Sequence, residues 1–131
     1  MRIYFIQFTE QENLPIPFMK KVRTIIDDDD MENMIIGNSY LGDYSIICAE
    51  EYKILKFIEI SEDYSMIHSY RDITEDLVMG NPINDLVDSL QGDEILESLM
   101  LQVMTIDMVL DKISSKGMDS LTAIDMVVLN T

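Results

Sequence analysis

The hydrophobic period of this chain changes once, near residue 72, and that change restricts the fold more than any other feature. Before it, short runs of aromatic and β-branched residues are separated by polar turns. Beyond it, apolar residues recur every three or four positions between helix-capping signals. Strands gathered in one half and helices in the other predict an α+β fold, with a small, mostly antiparallel sheet from the N-terminal half packed against a helical C-terminal half. At 131 residues the chain has the length of one domain, so it reads as a single domain over 1–131, strand-rich in 1–71 and helical in 72–131.

Arg2 to Phe8 is aromatic and rich in β-formers, and reads as a central strand. Pro15 and Pro17 suit the entrance of a helix whose apolar face is Phe18, Val22, Ile25 and Ile26, with Lys20, Lys21 and Arg23 opposite. The acids Asp27 to Asp30 oppose the macrodipole at the end of that helix, so its last turn is expected to fray into a loop. A loop carrying Gly37, Asn38, Gly42 and Asp43 follows. Tyr44 to Ala49 and Lys53 to Ile60 then read as an antiparallel pair. In the second of these, Ile54, Lys56, Ile58 and Ile60 alternate with Leu55, Phe57 and Glu59, which predicts a sheet covered on both faces. Ser65 to Tyr70 is a further strand.

From Asp72 the pattern is helical, with Asp72 as a cap and Glu75 reaching back to it, and Gly80–Asn81 as the stop. Pro82 opens a helix to Leu90, and Asp93 opens the longest one, to Ser114. That helix carries one stripe of Ile95, Leu99, Ile106, Leu110 and Ile113 and an adjoining row of Met100, Met104 and Met108. It reads as a central core helix; the functional alternative is a Met-rich surface for a partner or for a homodimer. Gly117 breaks the chain, and Thr122 to Asp125 is a capping-box pattern for a last short helix. The tetrapeptide Ile106 to Val109 recurs as Ile124 to Val127, which would place similar faces on two packed helices, but four residues do not establish a duplication and the recurrence reads as a coincidence of composition.

Charge bounds the function. Acids outnumber Lys and Arg 25 to 9, for a net charge of −16, yet 47% of residues are hydrophobic, enough for a core. Between residues 57 and 111, thirteen acids stand against Arg71 alone. Such a field repels nucleic acid and anionic membranes and attracts basic proteins, although excess acid also serves solubility. The residues expected to meet a basic protein partner are Asp72, Glu75, Asp76, Asp85, Asp88, Asp93, Glu94 and Glu97.

No constellation points to catalysis or to a cofactor. Cys48 and His68 are each unique and lie on two candidate strands that could be neighbours, but a lone strand cysteine is usually inert and a lone histidine usually structural. Consecutive acids at Asp27 to Asp30 diverge and lack the spacing of a calcium loop, so they read as a solvated charge run. The chain has one cysteine. The apolar run Ile3 to Phe8 is interrupted by Gln7, and no segment approaches the ~18 apolar residues of a membrane span. A cytoplasmic location is expected.

Leu110-Asp111-Lys112-Ile113-Ser114, Lys116-Gly117, Asp119-Ser120-Leu121-Thr122 and Leu129 resemble a helix-turn-helix tail at the C-termini of various bacterial proteins, including some rhomboid-type ones. The resemblance implies a helical hairpin and a bacterial source, and no activity. The chain departs from it at Met126, Val127 and Val128, which replace charged residues and make the last helix stickier. In size, charge and lack of a site the whole chain resembles immunity proteins of contact-dependent inhibition systems. That resemblance implies a non-enzymatic inhibitor that neutralises a basic toxin domain, a nuclease by preference. The alternatives are a phage anti-defence protein that mimics nucleic acid and, last, a metal-dependent carboxylate enzyme.

Overall fold

A computed structural model describes residues 1–9, 14–39, 42–83 and 94–130. The fold is α+β, with the sheet in the first half of the chain and helices filling the second. The chain divides into two compact units, Met1–Asp72 and Ile73–Thr131.

The first unit is built on a four-stranded antiparallel sheet of β1 (Arg2–Phe8), β2 (Met34–Ser39), β3 (Gly42–Ala49) and β4 (Ile67–Asp72), in the order β2-β3-β1-β4. β1 is an interior strand, as its composition predicts. Side chains alternate in direction along a strand, so Tyr4 and Ile6 of β1 share a face with Ile47 and Ala49 of β3. That face is packed by α1 (Ile16–Arg23) through Phe18 and by α3 (Glu51–Asp63) through Ile54, Phe57 and Ile58. Each fully buried isoleucine here contributes about 1.5–3 kcal/mol. On the other face Ile3, Phe5, Ile46 and Cys48 are buried as well, so the sheet is covered on both sides.

Three expectations for this unit are corrected. Lys53 to Ile60 is the body of helix α3, not a strand, because Ile54, Phe57, Ile58 and Ser61 bury one helical stripe while Lys56 and Glu59 point to solvent. An isoleucine-rich run satisfies period 2 and period 3.6 equally, and tertiary packing chose between them. The expected loop at Gly37 and Asn38 is the edge strand β2. Gly37 stands opposite Tyr44, whose ring occupies the space a Cβ would need, so a residue that reads as a turn former is required inside a strand. The turn at Ile25 and Ile26 is not helical, as expected, but the acids beyond it do not form a loop. Helix α1 ends at Arg23, and Asp27 caps a separate helix α2 (Asp28–Glu32) in a reciprocal box with Asp30, where negative charge favours the dipole.

In the second unit α4 (Thr74–Met79) ends at Gly80, whose left-handed φ of 73° lets Asn81 and Gly80 donate back to Asp76 and Leu77. Ile73, not Asp72, stands at its N-cap position, and Asp72 stays in β4. The helix expected from Pro82 to Leu90 falls mostly outside the described residues. The expected single helix Asp93 to Ser114 is two helices, α5 (Glu94–Val103) and α6 (Ile106–Lys116). Thr105 breaks it, taking an extended conformation and accepting a hydrogen bond from the Met108 N–H as an N-cap. The methionine row belongs to this unit's own core: Met104 is buried, and Met100 and Met108 pack against Val78, Val109 and Val128. After a 3₁₀ turn at Met118–Ser120, α7 (Ala123–Leu129) starts at the Thr122–Asp125 capping box. The repeated tetrapeptide does not give equivalent faces. Val109 is fully buried where Val127 is exposed, and Asp107 is exposed where Asp125 is buried.

Candidate acidic interaction surface

The surface charge of each unit depends on where its few cations go. In the sheet unit several acids have basic neighbours. Arg2 places its guanidinium 2.7 Å from Asp72 and 3.7 Å from Glu51. Lys53 reaches Asp30 at 3.0 Å and Asp27 at 3.5 Å, and Lys56 lies 3.7 Å from Glu59. Backbone donation from Asp30 and the nearby Lys53 hold the Asp27 carboxyl below its usual range.

The helical unit contains two cations, one buried and the other exposed but held by neighbouring oxygens. Lys112 on α6 is buried against Asp125 on α7 at 2.7 Å, with both side chains at most 3% exposed. Burial pushes the Asp125 carboxyl up, but the Lys112 hydrogen bond, with further bonds from the Thr122 N–H and hydroxyl, outweighs it and holds the group below the usual carboxylate range. Lys116 donates to the carbonyl of Met79 and to the side chain of Asn81, so it completes the C-terminal end of α4. Apart from Lys116, the exposed charges described in this unit are acidic: Glu75 on α4, Glu94 and Glu97 on α5, Asp107 and Asp111 on α6, and Asp119 in the turn.

The structure therefore sorts the acids expected at an interface. Glu75, Glu94 and Glu97 are exposed. Asp76 is half-buried and accepts from the Asn81 amide. Asp72 is half-buried and bound by Arg2, which takes it out of the free surface. Asp85, Asp88 and Asp93 lie outside the described residues. Asp107, Asp111 and Asp119 join Glu75, Glu94 and Glu97 on the exposed surface, and the i, i+4 spacing of the first two on one helix face marks them as a surface pair in the sequence as well.

Cys48 and His68 are not neighbours, because β1 lies between their strands. Cys48 is buried, and burial pushes its thiol up to about 11. His68 is exposed, at the irregularity where Ser69 pairs with Gln7 and Ile67 with Phe8. Among the described residues no three acids, histidines or cysteines come together as a metal group. No helix among them is long and apolar enough to cross a membrane. No protein-family model matches the chain, nor does any curated protein or solved structure.

Proposed function

We propose that this chain is an inhibitor of the immunity type, which neutralises a basic protein by laying the acidic surface of its helical unit over that protein's cationic groove. One observation carries the reading: of the helical unit's two lysines, Lys112 is buried against Asp125 and Lys116 is held by neutral oxygens at the end of α4, so the exposed acids described in this unit outnumber its one exposed cation. Acidity needed only for solubility does not require that arrangement, since surface lysines interspersed with acids serve solubility equally well. A nuclease toxin suits this surface because enzymes that hold phosphate concentrate Lys and Arg where substrate binds, and a partner of opposite charge is steered in quickly.

The test is stopped-flow association with the product of the adjacent gene across a salt series. Association is expected to slow markedly with ionic strength, and Asp107→Lys with Asp111→Lys should slow it more than Asp28→Lys with Asp29→Lys in the better-compensated sheet unit. Rates indifferent to salt and to both pairs would overturn the reading.

A further inference from the structure

Five of the chain's nine cations lie on two helices of the sheet unit: Lys20, Lys21 and Arg23 in the last turn of α1, and Lys53 and Lys56 in α3. Three of them, Arg23, Lys53 and Lys56, line one open cleft of about 420 Å³ together with Tyr52, Ile25 and Asp27. The volume is within the range of small-molecule sites. On a chain this acidic, three converging cations are out of keeping with the rest of the surface, and they differ in how firmly they are held. Lys53 is anchored by Asp30 and Asp27. Lys56 has only an exposed pairing with Glu59 at 3.7 Å, of the kind worth little in water. Arg23 has no side-chain hydrogen bond or ion pair among the described residues, which leaves its planar fork of donors open. Tyr52 is 62% exposed, so its ring stands in solvent beside these charges and serves no core.

We infer that this cleft binds a small phosphorylated ligand bearing a flat ring, of the mononucleotide class, with Arg23 and Lys56 on the phosphate and Tyr52 against the ring. The remaining wall fits that class. Asp27 is a carboxylate that would oppose a bare anion, but it accepts hydrogen bonds, as sugar hydroxyls or exocyclic amines require, and Lys53 offsets its charge. Ile25 adds an apolar contact beside the ring. The cleft is lined by residues of the sheet unit and the proposed inhibitory surface belongs to the helical unit, so either proposal can fail without the other.

The experiment titrates the full chain with AMP, with adenosine and with inorganic phosphate at low ionic strength, following backbone amide shifts by NMR. AMP is expected to bind at least about tenfold more tightly than either fragment, because a charge-assisted phosphate contact and a stacked ring each contribute on that scale. Arg23→Gln and Lys56→Gln should each weaken AMP about tenfold, and Tyr52→Ala should reduce AMP to the affinity of phosphate. All three side chains are exposed, so an unchanged far-UV spectrum is expected for each variant. Shifts absent from Arg23, Tyr52 and Lys56 at millimolar AMP would overturn the inference. So would AMP binding no tighter than phosphate, the behaviour of a plain counter-ion patch, or AMP affinity indifferent to the three substitutions.

Discussion

Replacing Lys112 by Met tests the internal logic of the helical unit. The ammonium lies 2.7 Å from Asp125 with both side chains almost wholly buried, and methionine keeps the length of the stem while removing the charge. Asp125 would then remain in the core with only the Thr122 N–H at 2.8 Å and hydroxyl at 3.1 Å, both on Oδ2, while Oδ1 has no partner among the described residues. Removing one partner of a buried pair costs about 3–5 kcal/mol, a large part of the ~5–15 kcal/mol by which a domain is stable. With a urea slope of ~2 kcal/mol/M the midpoint should fall by about 2 M. In the double variant Lys112→Met with Asp125→Asn, much of the loss should return, since no unpaired charge is left and an amide oxygen still serves the Thr122 cap. Acid supplies a second axis. The folded Asp125 carboxyl titrates below its ordinary value, so its contribution is present above the unfolded value of about 3.9 and is lost as pH falls through the folded one. Without Lys112, burial prevails and protonation relieves the variant, so the gap between wild type and Lys112→Met should narrow on acidification. Urea unfolding followed by circular dichroism at neutral pH and near pH ~3 measures both effects. A loss below about 1 kcal/mol, or a gap unchanged by acid, would refute the reasoning.

Two further outcomes are expected in the sheet unit. Ser65 ends α3 with a left-handed φ of 57°, while Ser65 and Met66 donate back to Glu62 and Ser61, so Ser65→Gly should stabilise the fold by up to ~1 kcal/mol in the same urea assay. The Cys48 thiol is buried and pushed up to about 11, so iodoacetamide should leave it unmodified in the native protein at neutral pH and alkylate it readily in denaturant, as mass spectrometry reads directly.

Where local chemistry is decisive, the structure could be read from the sequence. The strand Arg2 to Phe8, the stop at Gly80, the break at Gly117 and the Thr122–Asp125 capping box each depend on residues within a few positions of one another, so their signals survive without the rest of the chain. The α+β class followed from the change of period, and the total charge from counting. The isoleucine-rich run after Lys53 was ambiguous because both periods bury apolar residues, and only the sheet face it packs on made it a helix. Gly37 is in a strand because of the Tyr44 ring across from it, a contact between positions that sequence reasoning did not pair. The acidic surface shows the same division. Composition gave its sign and the shortage of cations to balance it, but that Lys112 leaves the surface was decided only when folding brought it to Asp125, thirteen residues away. A side chain's charge is fixed by its covalent structure, whereas the partner that neutralises it is fixed by which distant segments come within hydrogen-bonding distance.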